Sequence, residues 1–477
     1  MSPSWSELPS ELLGVVFLHI RCVADRVYFA AVCRSWRAAA TARSRTALPP
    51  PQLPWLLLLP SGGGSCFVSP LAGSSRRRIS LPTGANGARL CGSHAGGWLA
   101  VAASGWRAYA LVNAFSRAWS PLPDRMRVPR HGITTCLVVR AVALSAAPPA
   151  SPGRGGGCVA AALVSGVSNL AFVRPGVDRH WVASEPVHGL QDILYHDGGF
   201  YAVTADEAVT VFVQEEVVPG GASTSTSTLR MSWRSYRMQR RRHNAPPART
   251  NPSSSPAAGG VTRYLVESRG KLLMVVRHFP SVVQHDVAGG AAGARGFEVL
   301  ELAVEALPGG DHTAAAWVEL DGALDGRAIY LSRCCSRAFE ASRFGRFREG
   351  VYFLDDTGFD ISLALSYGGN FPCSDVGWYS GREDHAWDRG LPARVPVHFL
   401  LADLALPLTS SRTTTCMRQI DRSVPQFSSS PVRHALLSSE FRCIIIEGLS
   451  LHIFENGGCI SLADCWSARA QFVLQAK

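Results

Sequence analysis

The stretch DILYHDGGFYAVT, residues 192–204, has the pattern of a tight β-hairpin. Two segments of alternating apolar and polar residues flank the turn His196-Asp197-Gly198-Gly199. Asp-Gly tolerates the positive φ angles that tight hairpin turns require. The stretch YLVESRGKLLMVVRHF, residues 264–279, repeats the pattern around Arg269-Gly270. We therefore predict two antiparallel hairpins in a chain built largely from β-strands.

Short apolar segments separated by Gly, Pro or Asp turns continue on both sides of these hairpins. The other predicted strands are WLLLL (55–59), GWLAVAA (97–103), WRAYALVN (106–113), TCLVVRAVAL (135–144), CVAAALVS (158–165), NLAFVRP (169–175), FEVLELAV (297–304), AAWVELDG (315–322), RAIYLS (327–332) and GVYFLDD (350–356). Many short strands with few helices between them indicate a sandwich, a barrel or a propeller. Chain length and a weak recurrence of tryptophan, strand, glycine turn and aromatic strand favour the propeller.

Three low-complexity segments interrupt the strands, at residues 145–157, 219–228 and 244–260. Their Gly, Pro, Ser and Thr content predicts disordered loops between strands. After residue 409 the β pattern thins, and we predict a poorly defined tail in which residues 441–458 could form a further hairpin.

The N-terminal residues 5–45 have a helical pattern instead. Leu12, Leu13, Val16, Phe17 and Ile20 recur at helical spacing, and Ser10 is a candidate N-cap. Gly14 lies inside this run and costs roughly 1 kcal/mol relative to alanine. We therefore expect this helix to lean on a partner surface. A second helical stretch follows and ends at the proline-rich segment TALPPPQLP.

Composition excludes several classes of protein. The chain has 477 residues, of which 47% are hydrophobic and 17% charged, as in multidomain globular proteins. Its longest apolar run, LPWLLLLP, is far too short to span a membrane, and no signal peptide is expected. Thirteen cysteines without a C-x-x-C pair indicate free thiols in a reducing compartment, the cytoplasm or the nucleus.

The net charge of +11 comes almost entirely from arginine. Lys271 and Lys477 are the two lysines, so 45 of the 47 basic residues are arginines, a bias that GC-rich coding sequence explains. The densest basic runs, SSRRRIS (74–80) and YRMQRRRHN (236–244), lie in or beside predicted loops. No interleaved aromatic platform accompanies them, so solvated loop charge is the favoured interpretation and nucleic-acid binding the alternative.

Motifs that carry chemistry are scarce. The sequence has no G-x-S-x-G elbow, no dinucleotide fingerprint, no P-loop and no H-E-x-x-H. We interpret Cys334-Cys335 as strand neighbours, one buried and one exposed. Asp355-Asp356 is interpreted as a turn cap, and REDHAWD (382–388) as a surface loop. The tryptophans and tyrosines at strand positions are expected in the core. We expect no enzyme, no cofactor and no metal site.

The N-terminal segment WSELPSELLGVVFLHIRCVADRVYFAAVCRSWRAA resembles an F-box. The matching positions, in chain order, are Leu8-Pro9, Leu12-Leu13, Val16, Ile20, Asp25, Val32-Cys33 and Trp36-Arg37. The rest of the chain, to about residue 400, is similar to the plant F-box proteins with a C-terminal KIB-type, kelch-like β-propeller of formerly unknown function. Ala114 departs from that group, which usually has proline there.

This resemblance implies a mainly β protein with a small α domain: a three-helix F-box at 3–45, a kelch-like propeller at 50–405 and a tail at 409–477. It implies a substrate-recognition subunit of an SCF-type cullin–RING ubiquitin ligase. The F-box would bind an SKP-type adaptor, and through it cullin, while the propeller binds an unknown protein substrate. The residues implied at the adaptor are Leu8, Pro9, Leu12, Leu13, Val16, Ile20, Val32, Cys33 and Trp36.

We expect these residues to complete a joint core with the adaptor, since so short a helical pair cannot bury its apolar face alone. Trp36 is the predicted hot spot. The scarcity of lysine suggests that a receptor limits its own ubiquitination. Two alternatives stay open: a propeller scaffold without a ligase role, and a basic nucleic-acid-associated protein. Neither membrane binding nor a bond-making residue is expected.

Overall fold

A computed structural model gives a mainly β protein: three N-terminal helices precede a six-bladed β-propeller. The structure describes residues 8–46, 52–58, 64–71, 76–82, 85, 88–103, 108–148, 157–165, 168–215, 229–241, 260–278, 296–306, 313–320, 324–345, 347–354, 377–379, 384–386, 397–400, 441–447, 450–455 and 458–462. The chain divides into two compact units. Unit 1 comprises residues 1–81, 343–345 and 400–477, and unit 2 comprises 82–342 and 346–399.

The three helices are α1 (Ser10–His19), α2 (Val23–Val32) and α3 (Arg34–Thr46). The predicted N-cap was wrong by one position, because Pro9 occupies it and Ser10 is the first helical residue. The carbonyl of Pro9 accepts a hydrogen bond from the Leu13 N–H at 3.1 Å. Short 3₁₀ turns occur at residues 95–97, 129–131 and 341–344.

The strands of the first half of the chain are β1 (Trp55–Leu58), β2 (Cys66–Val68), β3 (Arg77–Arg78), β4 (Arg89–His94), β5 (Trp98–Ala103), β6 (Ala108–Asn113), β7 (Trp119–Leu122), β8 (Arg125–Val128), β9 (Ile133–Cys136), β10 (Val138–Leu144), β11 (Ala160–Ser165), β12 (Leu170–Val173), β13 (Trp181–Ala183), β14 (Leu190–His196), β15 (Gly199–Thr204), β16 (Val209–Gln214) and β17 (Met231–Tyr236).

The strands of the second half are β18 (Gln239–Arg241), β19 (Val261–Ser268), β20 (Lys271–His278), β21 (Gly296–Ala306), β22 (Thr313–Glu319), β23 (Arg327–Leu331), β24 (Arg337–Glu340), β25 (Gly350–Phe353), β26 (Gly377–Tyr379), β27 (Asp384–Ala386), β28 (Val397–Leu400), β29 (Phe441–Glu447), β30 (Ser450–Glu455) and β31 (Gly458–Leu462).

These strands form six blades, numbered along the chain, and one further sheet. The strand orders are β28-β1-β2-β3 in blade 1, β4-β5-β6-β7 in blade 2, β10-β11-β12-β13-β8-β9 in blade 3, β14-β15-β16-β17 in blade 4, β18-β22-β21-β20-β19 in blade 5 and β24-β23-β25-β26-β27 in blade 6. The further sheet is the antiparallel meander β29-β30-β31, which contains the hairpin that the sequence suggested at 441–458.

Both predicted hairpins are confirmed. In the first, Leu194 pairs with Tyr201, and the turn residues Asp197 and Gly198 have φ angles of 42° and 80°. In the second, β19 and β20 turn at Arg269 and Gly270, with φ angles of 54° and 72°. Two consecutive positive φ angles are the signature of the tight turn that these dipeptides favour.

The blades are filled by the aromatic residues predicted for the core. Trp181 and Trp317 are fully buried. Each indole N–H donates to a backbone carbonyl, that of Pro123 at 2.7 Å and that of Glu207 at 2.9 Å. A buried indole therefore keeps its polar group satisfied while it fills the blade. Trp119 and Trp233, in contrast, are exposed.

The interpretation of Cys334-Cys335 as strand neighbours with one exposed thiol was wrong. The pair lies in the turn between β23 and β24, and both residues are buried. Cys334 has a φ of 63°, so the chain leaves the strand before it and the alternation of strand faces no longer applies. Burial raises the pKa of both thiols, which disfavours the reactive thiolate.

This turn is held by a buried carboxylate on another blade. Asp192 in β14 is fully buried and accepts hydrogen bonds from the N–H groups of Ile193 (3.0 Å), Leu265 (2.9 Å) and Cys334 (2.7 Å). These donors belong to blades 4, 5 and 6. One side chain thus links three blades of unit 2.

Arg333 reinforces the same junction. Its guanidinium donates to the Gln191 carbonyl of blade 4 and to the Thr262 hydroxyl of blade 5 at 3.3 Å. It also lies over the Tyr264 ring, 5.0 Å from the centroid. The turn that carries Cys334 is therefore fixed to two neighbouring blades.

Two other interpretations concern the second half of blade 6. REDHAWD was interpreted as a surface loop, but Asp384–Ala386 is strand β27, which pairs with β26 through Trp378 and His385. Asp355-Asp356 lies outside the described residues. The predicted loops at 219–228 and 244–259 also lie outside them, as do residues 149–156 of the loop predicted at 145–157.

Within the described part of the chain, no helix has the length and apolar character needed to cross a membrane.

The buried Asp192 carboxyl predicts a pH dependence of stability. Burial raises its pKa to about 6, above the value of an unfolded chain. The folded protein therefore binds a proton at Asp192 as the pH falls through this value, and the unfolded chain does so only at lower pH. This proton binding stabilises the folded state, and the stabilisation is lost as the pH rises through the folded-state pKa. Relative to Asp192→Asn, the wild type should gain about 1 kcal/mol in free energy of unfolding between about pH 7.5 and about pH 5.

Thermal unfolding of both proteins across this range measures the effect. Asp124→Asn, which removes an exposed carboxyl group, is the matched control and should follow the wild type. An identical pH dependence for the wild type and Asp192→Asn would contradict the assignment.

Candidate functional site

The three helices of unit 1 enclose a small core of their own. Phe29 lies at its centre, with ring centroids 5.4 Å from Phe17 and 4.5 Å from Trp36. Leu13 is fully buried beside them, and Trp36 is only 8% exposed. Leu13 and Phe17 are four residues apart and therefore lie on one face of α1. That face is used within the helical region itself.

Two arginines hydrogen-bond to backbone carbonyls at the edge of this core. Arg26 is buried, lies 4.5 Å from the Phe17 ring centroid and donates to the Ile20 carbonyl at 2.7 Å, just after α1 ends. Burial lowers the pKa of its guanidinium to about 10, which leaves it charged at neutral pH. Arg37 donates to the Ala30 carbonyl at 3.1 Å. Both cations satisfy carbonyls near a helix C-terminus, where positive charge is favourable.

Gly14, which the sequence marked as costly in a helix, lies where α1 meets α3. It is buried, and a Cβ atom there would come within 2.6 Å of the Arg43 Nε. Glycine therefore lets the Arg43 guanidinium lie against the backbone of α1. The surface on which α1 leans is thus partly the third helix of the same region.

A linker residue joins the helices to the first blade. The Gln52 side chain accepts a hydrogen bond from the Val23 N–H at 2.9 Å and donates to the Arg21 carbonyl at 2.7 Å. Val23 is the first residue of α2, so Gln52 satisfies one of the N–H groups that a helix start leaves unpaired. Gln52 is itself buried, which makes both hydrogen bonds more valuable.

Asp25, one of the positions that resemble an F-box, makes a second link. Its carboxylate lies 2.5 Å from the Arg77 guanidinium of β3, and that guanidinium also lies over the Tyr28 ring at 5.3 Å. The Cys22 thiol donates to the Ser69 hydroxyl at 3.4 Å nearby. Helix α2 is therefore tied to the first blade by hydrogen bonds and an ion pair within unit 1.

Several apolar side chains of α1 and α2 are exposed to solvent. Leu12, Val15 and Leu18 follow one another at three-residue spacing on α1, and each exposes 40–42% of its area. Tyr28 and Val32 on α2 expose 40% and 37%. We call Leu12, Val15 and Leu18 the apolar stripe of α1. Helix α1 thus has one apolar face in the core and a second in contact with solvent. An exposed apolar face of this kind is typical of a protein-binding surface.

The nine residues predicted at the adaptor fall into three groups. Leu13 and Trp36 are core residues, and Pro9, Leu12 and Val32 are exposed. The half-buried residues, which pack against the core, are Leu8, Val16, Ile20 and Cys33. The structure therefore brings Leu12 and Val32 to an accessible surface, whereas the indole of Trp36 is mostly enclosed. Contact of any of the nine with an adaptor stays a prediction.

Sequence reasoning missed Val15 and Leu18. The signal was present in LLGVVFL, which is apolar on almost every side of a helix. A helix that is apolar all round is either fully enclosed or shared between two partners. Because helical spacing was used to select one apolar face of α1, the second apolar face was not predicted. Among the described residues, no group of three or more His, Cys, Asp or Glu side chains is placed to hold a metal ion.

The three helices form an F-box-like region that precedes the six-bladed propeller. Comparison of the sequence with known families agrees. The family model of the KIB1-4 β-propeller matches residues 67–380, and the chain belongs to this family. Among curated proteins, the F-box protein SKIP23 of Arabidopsis thaliana is 39% identical over 79 residues. That alignment covers 16% of this chain and 18% of SKIP23, so it relates a fraction of each protein.

The division between core and stripe predicts a large effect on stability for one substitution and a small effect for another. Trp36→Ala should destabilise the helical core by about 3–5 kcal/mol, because it empties a buried indole site. Leu12→Ala, at an exposed position, should change stability by about 0.5 kcal/mol or less. Hydrogen exchange of the amides of α1, α2 and α3 in the full chain measures both. Equal loss of protection in the two variants would contradict the division.

Proposed function

We propose that this protein is the substrate-recognition subunit of an SCF-type cullin–RING ubiquitin ligase. In this proposal the helical region binds an SKP-type adaptor, and through it cullin, while the propeller binds the protein to be modified. Support comes from the F-box pattern at residues 8–37, from membership of the KIB1-4 β-propeller family and from the partial similarity to an F-box protein.

The observation that carries the proposal is the apolar stripe beside a core that is already complete. An isolated apolar ridge on a small helical domain costs free energy in water unless a partner covers it. Binding an adaptor there would bury a second face of α1 without opening the core around Phe29. We therefore favour direct contact through Leu12 and Val32, with Leu13 and Trp36 supporting the stripe from below.

No residue of this chain needs to make or break a bond in this role. The receptor holds its target near a ubiquitin-conjugating enzyme, and the effective concentration of target lysines rises accordingly. The thiols of Cys22, Cys33, Cys66, Cys91, Cys136, Cys158, Cys334 and Cys335 are free, which is consistent with a reducing compartment. We propose cytoplasm, nucleus or both as its location.

Reversing the polarity of the stripe tests adaptor binding. The double substitution Leu12→Glu and Val15→Glu places two charges on exposed positions and should reduce capture of an SKP-type adaptor by about tenfold or more. Val177→Glu makes the same chemical change at an exposed valine of the propeller and should bind like the wild type. Capture is measured with purified full-length chains.

Hydrogen exchange of the helices must be unchanged in the double variant, so that lost capture reports binding and not unfolding. Undiminished capture by a folded double variant would reject the stripe as the contact. Absence of capture by the wild type itself would favour the alternative of a propeller scaffold without a ligase role.

The scarcity of lysine gives a further test of the ligase role. Lys271, in β20, forms an ion pair with Glu301, which leaves the described propeller with one amine that is already engaged. Arg125 and Arg127 are exposed on β8. Replacing both with lysine keeps the charge and adds two amines, and should increase self-ubiquitination in a reconstituted ligase. Replacing both with glutamine is the control, and equal modification of the two variants would contradict the expectation.

A further inference from the structure

The outermost strand of blade 4 has an open edge. β17 is the last strand in the order β14-β15-β16-β17 and pairs with β16 from Gln214↔Met231 to Val209↔Tyr236. Among the residues that the structure describes, no strand pairs with its other side. Four consecutive residues, 232–235, are exposed. An open edge of this kind presents unpaired backbone groups to solvent.

The hydrogen-bond pattern shows which backbone groups point outward. The carbonyl of Arg230 accepts from the Glu215 N–H at 3.0 Å, so residue 230 is directed toward the neighbouring strand. In an antiparallel ladder such residues alternate along the chain. The N–H and C=O groups of Met231, Trp233 and Ser235 are therefore directed toward the open edge. The 2.7 Å contact between the Ser235 and Thr210 hydroxyls is consistent with a closely spaced, non-hydrogen-bonded pair there.

The side chains at this edge are basic on one face and aromatic on the other. Segment 229–241 contains five arginines and no Asp or Glu. Arg234 is exposed and pairs across the ladder with Val211, on one face of the sheet. Trp233 exposes 51% of its area on the other face, opposite Phe212. This exposed tryptophan supplies the aromatic element that we did not find beside the basic run in the sequence.

The charge of Arg234 is not neutralised locally. Within the described part of the protein no carboxylate forms an ion pair with it, whereas Arg240, farther along the same segment, pairs with Glu207 at 2.5 Å and Glu298 at 2.6 Å. Arg234 is therefore an exposed cation of the strand edge without an ion-pair partner among the described residues. An uncompensated cation beside open backbone groups favours an acidic, extended ligand.

We propose that β17 receives an extended acidic segment of a partner protein as a fifth strand of blade 4. Backbone hydrogen bonds to Met231, Trp233 and Ser235 would hold the segment. An added strand alternates its side chains between the two faces, so acidic residues would lie beside Arg234 and apolar residues beside Trp233. The partner chemistry is therefore an alternating acidic and apolar sequence.

A single-stranded nucleic acid is the competing ligand for arginine and tryptophan. It would use the cations and the indole but not the outward backbone donors and acceptors, which match a polypeptide strand. The open backbone edge therefore favours the peptide. This surface does not depend on the ligase role, because adaptor capture through the apolar stripe is measured on a different unit of the protein.

The test uses the full-length protein and labelled peptides of alternating aspartate and valine, followed by fluorescence anisotropy. Arg234→Glu should weaken binding about tenfold, because it removes one favourable cross-strand pair and adds a repulsive one. The same variant should gain affinity for a peptide of alternating lysine and valine. Arg125→Glu, an equal charge change on β8, which is paired on both sides, should leave the affinity unchanged.

Backbone pairing is tested separately by methylating alternate peptide nitrogens of the aspartate–valine probe. If methylation on the paired side leaves affinity unchanged, strand addition is overturned. The proposal would also be overturned if the wild type and Arg234→Glu bound the peptide equally, or if neither bound it. The arginines would then only protect the edge from aggregation. Salt-dependent binding of oligothymidine without peptide binding would establish the nucleic-acid alternative instead.

Discussion

The buried carboxylate of Asp192 is the constraint on which the junction of blades 4, 5 and 6 depends. It accepts hydrogen bonds from three blades, and each of its donors would be a buried, unsatisfied N–H without it. Neighbouring blades otherwise meet through apolar contacts such as those around Phe172, Phe200 and Phe212, which have little directional preference. A charged hub with fixed geometry gives the junction of blades 4, 5 and 6 a specific arrangement, and the folded protein accepts the cost of burying the charge.

The sequence predicted those features of the fold that depend on neighbouring residues in the chain, such as the tight turns. Asp197-Gly198 and Arg269-Gly270 form turns because those residues accept positive φ angles, whatever surrounds them. The environment of Cys334 could not be predicted in this way, since its partners, Asp192 and the core of blades 3 and 4, are distant in sequence. Asp192 itself appeared in the opening hairpin as an ordinary strand residue. Its role arises only when three blades meet.

The helical region shows the same limit in a different form. Spacing correctly identified helices from Leu12 to Trp36, but it could not divide the apolar residues between a core and a surface. That division depends on where α2 and α3 cross α1, and Gly14 and Phe29 set the crossing. As a result, a tryptophan expected at a partner lies beside Phe29, and Val15 and Leu18 face solvent instead. The helical region is complete without a partner and still exposes an apolar ridge.

The complete helical core and the exposed apolar stripe change what an adaptor would have to supply. If the helices needed another chain to finish their core, folding and binding would be one event, and part of the binding energy would be spent on ordering them. A core centred on Phe29, with α2 fixed to the first blade by Gln52 and Asp25, removes most of that cost. The apolar stripe is then a preformed surface, and its free energy of burial is available for affinity.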